Sequence, residues 1–452
     1  MIMLHSTNRN APNVNFKEAI LKGQAPDKGL YMLDEIPTLN DEEVFSFRNL
    51  ELPQIAYKVL SKIIGDLIPK KQLESIINRA LNFEIPIRHV SNHDYMMYID
   101  QGPTCSFKDV GARMLARLME YFLEVVEKKE VTIITATSGD TGGAVAQAFY
   151  EMNRIKVIVL YPKNEVSNLQ RKQMTTLGKN VTAIGISGTF DDCQRFAKIA
   201  FADKDLEHLN LTSANSINFG RLLPQTLYYF LGYSRVTEDL GEKVIFSVPS
   251  GNFGNLVGGL IAFRMGLPVK KFISAVNEND EFPRYVRSGK YQKVEPSKNC
   301  LSSAMNVGHP SNLARLIEMY GGQIDETGMV HKDPDLERIR NDIYAISVTD
   351  EDTKKAIKDF YKVYAKIIEP HGAVGWTALQ AYRKESPTDR GTKSITIETA
   401  HPAKFPEAIV SLLNITPELP QALEIINRKK EFPNPAEINT YEDFKKYLQV
   451  NY

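Results

Sequence analysis

VTIITATSGDTGGAVAQAFY (131–150) and EKVIFSVPSGNFGNLVGGLIAF (242–263) share one plan: an apolar, β-branched run, then Ser-Gly-x-x-Gly, then a helix-length segment. Short continuous apolar runs followed by helical stretches read as buried strands of a parallel sheet. Glycines after the strand let the backbone approach a ligand closely. The first free N–H groups of the helix, at the positive end of its dipole, face an anion. The pair therefore predicts two α/β units, each with an anion site. The plainer reading is that small residues merely make two tight strand-to-helix turns.

The same texture extends on both sides. MMYI (96–99), IKVIVLYP (155–162), NVTAIGI (180–186), KKFISAV (270–276) and KSITIET (393–399) are further β-branched or apolar runs alternating with helical stretches. That alternation implies right-handed βαβ units and parallel sheets. The strands are too many for one small sheet, and the helix-rich stretch 217–238 offers a crossing between two α/β domains whose cleft is the default active site. Before Asp94 the chain is poor in strand signals. FKEAILKG (16–23) and IAYKVLSKIIGDLI (55–68) are amphipathic, with prolines at 37, 53, 69 and 86 as punctuation. The expected division is an N-terminal helical layer (1–93), a smaller α/β domain (94–230) and a larger one (231–452). Residues 277–345 carry few regular signals, PRYVRSGKYQKVEPSKN (283–299) reads as loop, and the tail from Pro433 reads as a polar helix.

Composition narrows the function classes. The 452 residues include 55 Lys plus Arg and 55 Asp plus Glu, so no net charge favours nucleic acid or an anionic membrane. At 43% hydrophobic and 24% charged residues the chain has the profile of a folded, soluble protein. Three widely spaced cysteines, Cys105, Cys193 and Cys300, build neither a disulfide framework nor a thiolate metal site. With no apolar stretch of signal-peptide or spanning length, the expected location is the cytoplasm.

Several local patterns bear chemistry. In GPTCSFKDVGARMLARLMEYF (102–122), Lys108 opens an amphipathic helix, an unfavourable place for a cation unless it is used. It reads either as a desolvated amine suited to Schiff-base chemistry or as a surface lysine. Neither a dinucleotide fingerprint nor a P-loop is present, which favours a small phosphate ester or phosphorylated cofactor over a nucleotide. Ser216 and Arg221 in NSINFGRLLPQ (215–225) offer a hydroxyl beside a guanidinium fork. Thr399, His401 and Lys404 follow the last strand, at the end where α/β proteins bind ligands, and EPHGAVGW (369–376) is a further candidate for the cleft wall. His89 and His93 are four apart, but the intervening VSN reads as loop rather than a metal-binding helix face.

Together these segments resemble the threonine synthases, pyridoxal-phosphate enzymes of fold type II (tryptophan-synthase-β-like), in their longer bacterial and fungal form. The resemblance runs through KGLYML (28–33), GPTCSFKD (102–109), TATSGDTGGA (135–144), NSINFGR (215–221), PSGNFGN (249–255), SSAMNVGHPSN (302–312), EPHGAVG (369–375) and TAHPAKF (399–405). It implies that Lys108 forms the Schiff base with the cofactor, and that Gly251, Asn252, Phe253, Gly254 and Asn255 cradle its phosphate. Thr399 is implied to hydrogen-bond the pyridine nitrogen, where a neutral hydroxyl leaves that nitrogen without a proton. Ser138 and Thr141 are implied to hold the substrate carboxylate or phosphate, and Ser216 and Arg221 the substrate phosphate. Asp140 stands where the shorter branch of the family has an asparagine beside the cofactor ring oxygen, which leaves its role open.

The implied reaction converts O-phospho-L-homoserine and water to L-threonine and phosphate by γ-elimination and β-addition of water. Lys108 shuttles protons, and in the family the released phosphate is thought to assist as base. The competing readings are a phosphohomoserine lyase releasing a keto acid, a serine/threonine dehydratase-like enzyme, and a catalytically silent phospho-amino-acid binder. No metal, nucleic-acid or membrane partner is expected, and the protein is expected to be a monomer or homodimer.

Overall fold

The computed structural model describes residues 2–452. Two parallel sheets carry the architecture. The smaller has four strands in the order Val181–Ile186, Ile155–Pro162, Val131–Ala136, Leu211–Thr212, all parallel. The larger has six, in the order Ile343–Ser347, Val269–Val276, Val244–Pro249, Ser394–Glu398, Asp94–Tyr98, Ile87–Ser91; five run parallel and Ile87–Ser91 closes one edge antiparallel. Val131–Ala136 and Val244–Pro249 are buried along their whole length, which is why their apolar runs show no alternation.

Sheet membership does not follow the division expected along the chain. Asp94–Tyr98, assigned to the smaller domain, pairs with Ser394–Glu398 in the larger sheet, and Ile87–Ser91 from the N-terminal layer pairs beside it. A strand's partner is set by which apolar faces find each other, and nothing within residues 94–98 encodes that distant match. The C-terminal tail also departs from the expected division. Ile438 bridges to Ile186, and Phe444 and Leu448 of the helix Tyr441–Asn451 pack in the core of the smaller sheet.

The N-terminal layer is helical, as in Leu52–Ile64 and Lys70–Ala80, but also holds a three-stranded antiparallel sheet of Val14–Asn15, Met3–Ser6 and Tyr31–Leu33. Strands of two to four residues are too short to display a period in the sequence. Residues 283–288, expected as loop, belong to a helix Glu281–Ser288. Its Pro283 sits in the first turn, where the missing N–H costs nothing. The stretch 217–238 is helical as expected, with Phe219–Leu222, a short 3₁₀ turn and Leu227–Val236 almost wholly buried. Among the described residues no helix is long and apolar enough to cross a membrane, and no side-chain cluster is suited to a metal. His89 hydrogen-bonds the Asn92 carbonyl instead.

Candidate active site

The carboxyl ends of strands from both sheets open onto one cleft. After Val131–Ala136 come Ser138 and Thr141; after Val244–Pro249 comes the loop Gly251 to Asn255; Thr399 directly follows Ser394–Glu398. Lys108, Ser216 and Arg221 reach the same space. Of the residues singled out in the sequence, Asp140, His401 and Lys404 do not line it.

Lys108 is the first residue of the helix Lys108–Tyr121, whose Val110, Met114, Leu115 and Leu118 are buried. The preceding turn is tied by Asp109, which accepts from Thr104 N–H (2.8 Å) and the Thr104 hydroxyl (2.8 Å). Phe107 N–H donates to the Thr399 carbonyl (2.8 Å) and His401 N–H to the Cys105 carbonyl (3.1 Å), stitching the lysine segment to the end of the last strand. Burial lowers the Lys108 amine from 10.5 to about 8; the positive charges of Lys404 and Arg221 push the same way, against Asp140 and Glu369.

Asp140 lies in a buried ion pair with Lys404 (2.6 Å) and accepts from the Gln170 amide (3.0 Å). Burial raises its carboxyl, but the Lys404 and Lys108 charges and these hydrogen bonds outweigh burial and hold it well below the usual carboxylate range. Lys404 also donates to the Thr104 carbonyl (3.0 Å). The pair thus fixes the loop 138–141 against the turn before Lys108 and keeps a compensated negative charge behind the cleft wall.

Two backbone cradles face the cleft. The N–H groups of Gly251, Asn252, Phe253, Gly254 and Asn255 donate to no protein acceptor. The loop is held from outside: Phe253 adopts a left-handed φ of 60° with its ring packed edge-on against Phe282, and the Asn255 amide donates to the Pro249 carbonyl (2.7 Å). In the second cradle Thr137 Oγ1 accepts from Gly139 and Gly142 N–H (2.9 and 2.8 Å), while those of Ser138, Asp140 and Thr141 stay free. Gly139 has φ of 138°, reachable without strain only by glycine.

Between the cradles lies Arg221, 4% exposed. One Nη donates to the Ala214 carbonyl (2.6 Å), Nε has no partner, and no carboxylate contacts the guanidinium. Burial lowers its pKa to about 10, so it is a buried cation waiting for an anion.

Three comparisons with known proteins bear on this geometry. A family model described as "Pyridoxal-phosphate dependent enzyme" matches residues 95–398, "Threonine synthase N terminus" matches 4–81, and "Threonine synthase, C-terminal" matches 372–447. Threonine synthase of Haemophilus influenzae is 37% identical over 446 residues, 98% of this chain and 99% of that one. The chain belongs to the threonine synthase family. Among solved structures, pyridoxal-phosphate-bound threonine synthase from Brucella melitensis superposes with a TM-score of 0.91 at 32% identity, covering 100% of this chain and 99% of that one. The Escherichia coli threonine synthase superposes at 0.88 with 34% identity and full coverage of both chains.

Membership makes the chain a pyridoxal-phosphate enzyme of this fold, and its cleft has the chemistry the cofactor needs. An amine of lowered pKa faces an uncommitted N–H cradle suited to a phosphate, and a hydroxyl stands at Thr399. For a threonine synthase the surplus is informative: the free N–H groups of the second cradle and the Arg221 guanidinium are donors left over after one cofactor phosphate.

Sequence reasoning did not single out Gln225, Asn215 or Phe190, which also line the cleft. Gln225 sits in an unbroken buried helical stretch with no local pattern to mark it, its amide donating to the Arg221 carbonyl (3.0 Å). His371 of the EPHGAVGW segment lines the cleft as expected, its Nε2 accepting from Ala304 N–H (3.2 Å).

Proposed function

We propose that this threonine synthase takes O-phospho-L-homoserine and water to L-threonine and phosphate, with the substrate phosphate at Arg221 and Ser216. The observation that carries this reading is the buried Arg221 guanidinium with an unpartnered Nε and no carboxylate in contact, in a cleft that already has a separate cradle for the cofactor phosphate. A dehydratase of the same fold has no second phosphate to compensate such a charge.

Pyridoxal phosphate, when bound, supplies the electron sink that stabilises negative charge at the substrate's Cα and Cβ. Gly251 to Asn255 would hold its phosphate through their backbone N–H groups, and Thr399 would stand at its ring nitrogen. Ser138 and Thr141, with the free N–H groups of their turn, bind the substrate carboxylate. Arg221 and the Ser216 hydroxyl orient the leaving phosphate, and fixed geometry there favours departure from Cγ. Lys108 Nζ, its pKa lowered to about 8, takes the protons from Cα and Cβ, returns one to Cγ once the phosphate has left, and returns the other to Cα after water has added its hydroxyl at Cβ, the water's remaining proton passing to the released phosphate. Asp140 acts from behind the wall, through its pair with Lys404, on the electrostatics of Lys108.

Product analysis tests the reading. Incubation of the holoenzyme with phosphohomoserine is expected to yield threonine and phosphate in equal amounts; 2-oxobutanoate instead identifies a lyase. Arg221→Ala is expected to retain cofactor affinity while kcat/KM falls roughly 30-fold to several-thousand-fold, the equivalent of about 2–5 kcal/mol for unpairing a buried charge. Arg221→Lys should recover only part, since an ammonium lacks the planar fork. Equal loss of cofactor affinity and turnover assigns Arg221 to the scaffold rather than to the substrate.

A further inference from the structure

Arg315, in the helix Leu313–Met319, is wholly buried, and its guanidinium is directed at neutral oxygens. Nε donates to the Tyr31 carbonyl (2.9 Å), one Nη to Asn312 Oδ1 (2.6 Å) and the Ser216 carbonyl (3.2 Å), and the other Nη to the Ile217 carbonyl (2.7 Å). Asn312 Nδ2 in turn donates to the Asn252 carbonyl (3.0 Å), so the guanidinium is braced between the loop Gly251 to Asn255 and the turn 215–218. That turn is closed by Asn218 N–H donating to the Asn215 carbonyl (3.0 Å), and the N–H groups of Ser216 and Ile217 have no protein acceptor. A trans peptide sets its C=O and N–H in opposite directions, so a Ser216 carbonyl drawn to Arg315 turns the Ile217 N–H to the other side of the turn. Arg315 does not line the cleft. Ser216 does, in company with the buried Arg221 and its unpartnered Nε.

We propose that Arg315 is a positioning residue which, by holding the 216–217 peptide, aims the Ile217 N–H at the substrate phosphate as a further donor beside the Ser216 hydroxyl and the Arg221 guanidinium. This role rests on the reading that Ser216 and Arg221 hold that phosphate. A peptide N–H without a protein partner in a cleft wall needs an acceptor, and a phosphate dianion supplies one through a charge-assisted hydrogen bond. Burial lowers the Arg315 pKa to about 9, which leaves the guanidinium charged at neutral pH. Its positive charge on the carbonyl side polarises the peptide and makes the N–H on the far side a stronger donor. The carbonyls of two successive residues are held by two nitrogens of one planar group, which fixes the rotation of the peptide between them. A lysine ammonium on a flexible stem keeps the charge but not that fork. The phosphate therefore meets a donor set ordered before it arrives, and the cost of ordering it does not fall on substrate binding.

The phosphate's own share of binding is read on the cofactor-loaded protein with two ligands that carry no leaving group. One is L-2-amino-5-phosphonopentanoate, in which a methylene replaces the ester oxygen of phosphohomoserine; the other is L-norvaline, the same skeleton without the phosphonate. Both dissociation constants are followed by cofactor absorbance, and the ratio of norvaline to phosphonate isolates the phosphonate. Two variants probe the relay: Arg315→Lys, and a chain carrying the α-hydroxy acid of isoleucine at position 217, whose ester has no N–H. Each is expected to lower the ratio about tenfold to a hundredfold with norvaline affinity nearly unchanged. Combined, they are expected to lower it no further than the larger single effect, since both act through one N–H. An unchanged ratio in the ester variant overturns the Ile217 N–H as a phosphate donor. Losses that add in the combination overturn its positioning by Arg315, and a norvaline affinity that falls in step with the phosphonate's in Arg315→Lys makes Arg315 part of the scaffold only. Ser216→Ala keeps the underlying reading distinct. An unchanged ratio there overturns the placement of phosphate at Ser216 and this role with it; a lowered ratio there beside an unchanged one in the ester variant overturns this role alone.

Discussion

At Lys108 the decisive quantity is the fraction of uncharged amine. An ordinary lysine of pKa 10.5 is neutral in about one molecule per thousand at pH 7.5, whereas a value of about 8 leaves about a quarter neutral. Burial disfavours the ammonium, and Lys404 and Arg221 add repulsion, so the shift is downward and the reactive form gains with rising pH through 8. The rate at which apoenzyme takes up cofactor covalently, followed by absorbance, is therefore expected to climb about tenfold per pH unit up to pH 8 and to level off above it. A climb that continues to pH 10 refutes the tuning. The amine's position was legible in the sequence, because a lysine at a helix start is conspicuous. Its tuning was not, because Lys404 and Arg221 are 296 and 113 residues away and no local pattern ties either of them to Lys108.

The two Ser-Gly-x-x-Gly elements show how backbone requirements surface in sequence. In the loop before the helix Gly254–Arg264, the strained position is Phe253, held at φ of 60° by its contact with Phe282, whereas Gly254 is needed for space. A Cβ on Gly254 stands 3.3 Å from the Gln225 amide and 3.6 Å from Ser216 Cβ, and a branched side chain extends into the cradle. Gly254→Val is accordingly expected to weaken cofactor affinity by at least tenfold, measured by equilibrium titration, with the thermal midpoint of the apoenzyme nearly unchanged. Unaltered affinity reduces the loop to a turn. Buried parallel strands were readable within a residue or two because each is a contiguous apolar run. Ile343–Ser347 was not, since this edge strand is mostly half-buried and its short run IYAI (343–346) directly follows a polar helix.

At the scale of the molecule, the chain end returns to the smaller sheet. Phe444 is fully buried and stacks on Phe196 with ring centroids 6.4 Å apart, beside Cys193 and Leu448. Phe444→Ala is expected to cost about 3–5 kcal/mol in denaturant unfolding while leaving cofactor affinity intact, because neither Phe444 nor Leu448 lines the cleft. A parallel loss of cofactor affinity connects the tail to the site. By itself the sequence determined what adjacent residues can encode: the strand-glycine-helix units, the parallel α/β class, the lysine segment and both anion cradles. Each of these depends on local backbone conformation and on apolar runs a few residues long. Only the tertiary structure decided which segments meet. It brought Asp94–Tyr98 to Ser394–Glu398, Lys404 to Asp140 and Glu369 to Thr399, and it left Arg221 buried without a counter-charge. Those outcomes follow from the burial of apolar faces between distant parts of the chain, and a polar side chain acquires its partner, its pKa and its role only once that burial has removed the water around it.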